Sequence, residues 1–595
     1  MVKVHQSCFL IVSICRSSVS IVLTVTKDDV SLLQNGDHNL SVSSVKMING
    51  EDAATYLHKV SRQVNLHDGH ARFNTLFPNQ AGLSLGNGGG YGFFESGIYD
   101  GPNTTYTFSN GTNWTFDNVA VLSGDFTGVD SGATFFSKFC QPKSPSTSTG
   151  LSASSTSFVT SATPTPTSTS VSQPVNNTAF GYPSAQFLHP AKAIGGYYLN
   201  DTPEVAVLSV PNFQPTYEAP ANNTQAQIDF QTVAREFLKK ATGDNKSKLV
   251  IDLRFNTGGW TVLAFDLFKL IFPNLEPYQA TRRHAHQAFE QLTDVTADNL
   301  YKLLSLATNL SNITEAELAV AGILSIFVQP TYTTPTDDAF ETTQQFYGPH
   351  VFNNDNFTSL SAWNLSSPFG IASSFPLSGY GGELATSQPA WNGSDILLLQ
   401  DGYCSSTCAI FSELMYTMAG VQTLAFGGLP DDTVGMQKVG GTKGWLTWEK
   451  VTLQAFAPAF YSVANQSAVE AAAGTEIEAM NQSTVIFNRA SGFQVNAADG
   501  IRRGDEKDQT PLQFVYEAAE CRLWYTVPMV LDVTETWKAA VDVKWGNGTC
   551  NAGKGFNQNQ TQTTPNSPAY TGAAARGKEI GLATFVTVVA VFMLL

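Results

Sequence analysis

At 595 residues the chain is long enough for two or three domains, each with its own core. Only 14% of its residues are charged and the formal net charge is −16, which disfavours nucleic-acid binding, since that requires a basic surface. Seventeen N-x-[ST] sequons are spread along the chain and favour a secretory route, with Asn103, Asn110, Asn113, Asn309, Asn356 and Asn392 as expected glycosylation sites.

Residues 1–30 hold an apolar stretch, Cys8 to Thr26, broken by Arg16 and several serines. It reads as an imperfect secretion signal or a truncated N-terminus. Residues 31–140 form a first region: a strand within 41–50, a helix within 51–64, then Gly-, Asn- and aromatic-rich β-structure with long turns over 82–139. Residues 141–190 contain a Ser/Thr/Pro tract at 143–175 that cannot bury enough apolar surface to offset its ordering entropy. It is expected to be an extended linker or inserted loop.

Residues 191–550 change pattern. Apolar strands are predicted at Val205 to Val210, Lys248 to Leu253, Asp395 to Gln400 and Val421 to Phe426, with a further one at Gly492 to Asn496. Helices are predicted at Gln225 to Lys240, Trp260 to Ile271, Thr407 to Met418 and Leu512 to Glu520, and the stretch holding His284 and His286 reads as a solvated helix. Strands alternating with helices predict an α/β domain around a largely parallel sheet. Residues 551–571 read as a stalk. Residues 572–595 combine small residues at Gly572 to Ala575, a short spacer and an uncharged tail from Ile580 to Leu595. That is the pattern of a glycolipid (GPI) anchor attached at Gly572, and it predicts a cell-surface protein on the plasma membrane or wall.

Past the N-terminus five cysteines remain, Cys140, Cys404, Cys408, Cys521 and Cys550. Four could form two disulfides, with connectivity open. The Cys404/Cys408 spacing lacks a histidine or second close pair to complete a metal site, so no metal is expected.

The strongest chemical signal is residues 395–414, where a buried strand ends at Asp401-Gly402 and a helix starts near Thr407. A serine at that junction, Ser406 or Ser405, lies where unpaired N–H groups and the helix dipole favour negative charge. Such a serine can also simply cap the helix. A second strand, Leu249 to Leu253, runs into Asn256-Thr257-Gly258-Gly259, whose glycines let backbone N–H groups approach a ligand. Gly82-Leu83-Ser84-Leu85-Gly86 matches the G-x-S-x-G elbow, but the Asn-Gly run after it is a poor helix start.

Together the two strand–turn segments resemble the C-terminal-processing (tail-specific) serine peptidases. Asp252-Leu253-Arg254 with Asn256, Gly258 and Gly259 resembles that family's "DLR-x-N-x-GG" strand, and Ser406 to Ile410 its nucleophile segment. The resemblance makes Ser406 the nucleophile, with Ser405 one register away, and implies an oxyanion hole from Gly258 or Gly259 and the N–H of Thr407. The bacterial enzymes take their base from a lysine about 25 residues on, where this chain has Asp431. The branch related to the chlamydial protease-like activity factor, with its fungal members, uses an upstream histidine instead. Asp68-Gly69-His70-Ala71-Arg72-Phe73-Asn74 resembles that motif and makes His70 the general base. A triad needs a third group to orient the imidazole. By resemblance it is a glutamate after the serine, nominated as Glu506 with Asp499 and Asp505 as alternatives. The implied fold is α/β, a crotonase-like (ClpP/crotonase-type) catalytic domain with a partial PDZ-like N-terminal region. The implied function is peptide-bond hydrolysis through an acyl-enzyme, with a peptide or protein substrate, no cofactor and no metal. The alternatives are a catalytically inactive peptide-binding surface protein of the same fold, and an esterase. His70 and Ser406 are expected to meet in space across more than three hundred residues.

Overall fold

The computed structural model describes residues 2–4, 14–16, 19–22, 43–77, 79–85, 101–118, 120–122, 125–140, 181–217, 223–308, 320, 323–365, 377–380, 388–430, 435–482 and 494–556. The Ser/Thr/Pro tract, Asn309 and Gly572 with its apolar tail lie outside these residues. Among the described residues no helix is long and apolar enough to cross a membrane.

The N-terminal unit is an antiparallel sheet of β1 (Ile14–Arg16), β2 (Val19–Val22), β3 (Ser44–Ile48), β4 (Asn103–Phe108) and β5 (Asn113–Asp117), ordered as numbered. Strands from the apolar N-terminal stretch therefore pair into this sheet. Three short helices follow β3: α1 (Ala53–Ser61), α2 (Gly69–Asn74) and α3 (Gln80–Ser84). Each starts on a side-chain cap, Asp52, Asp68 and Asn79 respectively, which satisfies N–H groups that the first turn leaves unpaired. Val45, Ile48, Tyr56, Leu57, Tyr106 and Phe108 form the core, and Phe73 of α2 is buried in it. The helix carrying His70 is thus anchored to the N-terminal unit by its own phenylalanine.

The second unit is built on a seven-stranded sheet. Its strands are β6 (Phe187–Leu188), β7 (Gly195–Tyr198), β8 (Val205–Ser209), β9 (Lys248–Asp252), β10 (Ile396–Gln400), β11 (Gln422–Phe426) and β12 (Cys521–Leu523). The order is β12-β11-β10-β9-β8-β7-β6, parallel from β12 to β8 and antiparallel at the β7 and β6 edge. Its central strands are apolar on both faces because both are covered. On one face α4 (Asn223–Gly243), α5 (Thr261–Ile271) and α6 (Thr407–Met418) pack Phe230, Phe237, Phe265, Phe268 and Phe411 against Leu208, Leu249, Ile251 and Leu398. On the other, α7 (Val533–Trp545) packs Val533, Trp537 and Val541 against Val207, Val250, Leu397, Leu399 and Leu424. A polar pair crosses this apolar layer: Arg254 makes a bidentate contact with Asp252 at 2.9 and 2.7 Å, and Trp537 Nε1 donates to Asp252 at 2.8 Å. Both charges are essentially inaccessible, and a buried pair of this kind typically loses about 3–5 kcal/mol when one partner is removed.

Several predicted elements differ from the structure. Gly132–Phe135 and Phe136–Cys140 are helical where the sequence predicts β-structure with long turns. The stretch around His284 is a short strand, Thr281–Arg282, before a helix that begins at Gln287, and its arginines are buried. Arg282 stacks on Phe357 at 3.9 Å and Arg283 on Tyr332 at 5.0 Å, so cation–π contacts replace the solvent that the charge pattern suggested. Residues 512–520 form only a 3₁₀ turn, Leu512–Phe514, followed by extended chain. Lys438 N–H donates to Glu517 O and Ala519 N–H to Met436 O, so strand-type pairing overrides the helical propensity. The disulfide connectivity is Cys404–Cys408 and Cys521–Cys550.

Candidate active site

The loop between β10 and α6 turns on Ser406, whose φ of 52° and ψ of −121° lie where side chains are rarely found. Such a conformation costs about 1–3 kcal/mol and persists only where its surroundings impose it. Here they do. Ser406 N–H donates to Thr442 O at 2.8 Å, and the Cys404–Cys408 disulfide closes a small ring across the turn. Ser405 and Ser406 differ in their hydroxyls. Ser405 Oγ donates to Tyr403 O at 2.9 Å and accepts from Thr442 N–H at 3.1 Å, so it is engaged in holding the loop. Ser406 Oγ does not cap α6 and has no hydrogen-bond partner among the described residues. It is the hydroxyl left available.

The Asn256–Gly259 segment after β9 lies directly against this turn. A Cβ at Gly258 would fall 2.8 Å from Ser406 Cβ and 3.0 Å from Thr407 N, so only glycine permits the approach. Thr407 Oγ1 donates to Gly259 O at 2.6 Å and ties the two loops together. Gly258 N–H is taken by Asn256 Oδ1 at 2.8 Å. The N–H groups of Gly259 and Thr407 have no acceptor among the described residues. Between the two glycines proposed as oxyanion donors, the structure leaves Gly259 as the one with a free N–H.

His70 reaches the same neighbourhood from the N-terminal unit. Asp68 Oδ1 accepts from His70 N–H at 2.6 Å, Asp68 N–H donates to Gly440 O, and Ala71 packs against Gly402 and Gly440. Gly440 and Gly441 continue into Thr442, the residue that holds Ser406. The histidine and serine segments thus share one set of neighbours. His70 is buried, and its Nδ1 accepts from Leu429 N–H at 3.0 Å. With Nδ1 accepting, the neutral ring carries its proton on Nε2, the tautomer opposite to that of a base acting through Nε2.

Comparison with known proteins identifies the family. Residues 204–415 match the model of peptidase family S41, and residues 5–127 match that of the CPAF-like PDZ domain. The chain is 31% identical over 506 residues to the Peptidase S41 family protein ustP of Aspergillus flavus, covering 81% of this chain and 97% of that one. The chain belongs to peptidase family S41. It is also 26% identical over 575 residues to the Peptidase S41 family protein phomP1 of Diaporthe leptostromiformis, covering 90% of this chain and 81% of that one. The structure of mature CPAF complexed with lactacystin is a distant likeness, at 10% identity and a TM-score of 0.41 over 91% of this chain and 83% of that one. The N-terminal sheet lies within the residues matched as a CPAF-like PDZ domain, and strands β8, β9 and β10 of the seven-stranded unit lie within those matched as peptidase S41.

The nominated third residue of this S41 peptidase lies in other company. Glu506 sits on an exposed turn, accepting from Tyr278 OH at 2.8 Å and from Gly504 N–H at 2.9 Å. Asp499 pairs with Arg282 and accepts from Gln513, and Asp505 accepts from Thr510 N–H. None of these bonds runs to α2. Ser84 of the G-x-S-x-G match is buried in α3 and donates to Ala81 O, so it is no exposed elbow. Asn103, Asn110, Asn113, Asn356 and Asn392 are all exposed. Sequence reasoning missed Asp401, buried at the end of β10, and Asn74, whose amide donates to Asp401 O and Phe426 O and accepts from Gly428 N–H. An Asp before Gly at a strand end reads as an ordinary turn, so only the fold reveals its partners.

Proposed function

We propose that this S41 peptidase is a secreted serine endopeptidase in which Ser406 attacks the scissile carbonyl and His70 takes its proton. The observation that carries the reading is the Ser406 turn: a strained serine at a helix N-terminus, its hydroxyl unengaged, with Gly258 against its Cβ. Attack would form an acyl-enzyme with loss of the leaving amine, and water would then release the acid. The N–H groups of Gly259 and Thr407 would receive the oxyanion. For His70 to act through Nε2, the Leu429 N–H contact at Nδ1 must be released so that Nδ1 carries the proton. A fluorophosphonate probe is expected to label the protein at Ser406. Labelling that survives Ser406→Ala and is lost in Ser405→Ala would move the nucleophile by one residue. A folded wild type that never labels would favour a peptide-binding protein without activity.

The sequon density, with five of the expected sites exposed, supports passage through the secretory pathway. The small-residue triplet at Gly572 and the tail after it support a glycolipid anchor at the cell surface. Phosphatidylinositol-specific phospholipase C is expected to release a glycosylated protein from intact cells. A mature chain that ends at Leu595 in mass spectrometry would refute the anchor.

A further inference from the structure

Three segments must converge for the proposed chemistry: the α2–α3 segment bearing His70, the loop after β9 bearing Gly258 and Gly259, and the Ser406 turn. They meet on one carboxylate. Asp401 is fully buried at the end of β10. Its Oδ1 accepts from Tyr403 N–H at 3.1 Å, in the turn that leads to Ser406. Its Oδ2 accepts from Phe255 N–H at 2.9 Å, at the start of the glycine loop, and from Asn79 Nδ2 at 2.5 Å, the residue capping α3. Its backbone carbonyl accepts from Asn74 Nδ2 at 2.7 Å, on the last turn of the His70 helix. Asp401, Asn74, Asn79 and Arg254 line a cavity of about 50 Å³ between these segments.

We infer that Asp401 is a positioning residue of this peptidase, whose ionised carboxylate sets the base segment, the oxyanion loop and the nucleophile turn relative to one another. The inference rests on the reading of Ser406 and His70 as nucleophile and base. Every side-chain contact of Asp401 is with a donor, so the acceptor-only ionised form is the one that satisfies all three at once. An asparagine cannot replace it. Whichever side its amide nitrogen takes, that nitrogen faces an N–H already aimed at the site. Asn79 cannot reverse its own amide to compensate, because its Oδ1 accepts from Ala81 N–H at 2.9 Å.

This role makes catalysis sensitive to acid. Burial pushes the Asp401 carboxyl up to about 6 from an ordinary 3.8, against the N–H groups of Tyr403 and Phe255 and the charge of Arg254, which pull it down. The titratable groups facing it are Asp252 and Arg254 from the neighbouring strand and Tyr525 beyond β12, while the α2–α3 segment presents the neutral Asn74 and Asn79. A carboxyl raised in the fold favours folding below its unfolded value and loses that advantage as pH rises through about 6. The positioning role has the opposite sign: the ionised form is lost as pH falls through about 6, so the reaction slows where folding is not weakened by this group. A general base also loses activity in acid, so the contribution of Asp401 is read from how the acid limb moves when one of its donors is removed.

The test is the rate of fluorophosphonate labelling and of peptide hydrolysis by the full chain between pH 4.5 and 8.5. Asp401→Asn is expected to lower kcat about 10- to 100-fold with KM little changed, the loss typical of a small misplacement of catalytic groups. Asn79→Ala keeps the carboxylate but removes one donor, so the acid limb of its rate profile should move up by about one pH unit. That second variant decides the matter should Asp401→Asn not fold. An Asp401→Asn protein that labels at the wild-type rate, or an Asn79→Ala profile that superposes on wild type, overturns the inference while leaving Ser406 and His70 in place. A wild type that does not label overturns the peptidase reading and this inference with it.

Discussion

Ser406→Ala and His70→Ala are each expected to lower kcat by about 10⁴- to 10⁶-fold, and the double variant to be no worse than either alone. The reason is that a serine without its base and a base without its serine are equally unable to form the acyl-enzyme, so the losses do not add. KM should change little, since neither side chain supplies ground-state binding. Ser405→Ala should behave differently, because Ser405 Oγ bridges Tyr403 O and Thr442 N–H and so supports the turn without reacting. The specific rival for the base is Lys443, which follows the Thr442 that holds Ser406. Burial lowers its pKa, but its Nζ already donates to Val515 O at 2.5 Å. Single-turnover hydrolysis of a fluorogenic peptide discriminates the two. A His70→Ala protein that keeps wild-type kcat while Lys443→Ala loses it would hand the proton transfer to the lysine.

Four strands of the seven-stranded sheet are legible in the sequence because they are buried on both faces, so Leu249–Asp252 and Ile396–Gln400 stand out as apolar runs leading into turns. The short strands Phe187–Leu188, Gly195–Tyr198 and Cys521–Leu523 carry no such run. The helix start at Thr407 was legible for the same reason, lying between a strand and a periodic apolar stretch. Where the reading went astray, a tertiary contact outweighed a local signal. Arg282 and Arg283 look like surface charges until Phe357 and Tyr332 are placed beneath them. The Leu512 to Glu520 stretch has helix-forming residues, yet Gln437–Lys438 offers it a strand partner. Asp401 shows the same limit from the functional side. Its chain neighbours announce a turn, whereas its donors come from residues 79 and 255, which no local pattern could bring together. Glu506 was nominated by its position after the serine, and its bonds to Tyr278 and Gly504 give the carboxylate a local role in an exposed turn.

Gly258→Ala is expected to lower kcat by about 10²- to 10³-fold, the scale of losing one oxyanion donor. Gly258 has φ of +104°, and an added Cβ would lie 2.7 Å from Ser405 O, 2.8 Å from Ser406 Cβ and 3.0 Å from Thr407 N. All three neighbours belong to the tightly held nucleophile turn, so none is a flexible side-chain end that could swing away. The methyl group must therefore push the glycine loop and the Ser406 turn apart, and the N–H groups of Gly259 and Thr407 separate with them. Backbone strain alone does not explain such a loss, and a second glycine isolates it. Gly474 also has positive φ, +76°, but an added Cβ there meets nothing within 4 Å. Gly474→Ala should cost about 1–2 kcal/mol in denaturant unfolding, the strain of a left-handed residue, and leave kcat unchanged. Gly258→Ala with wild-type kcat would remove the glycine loop from the oxyanion site. An equal loss of kcat in both variants would assign the effect to general strain.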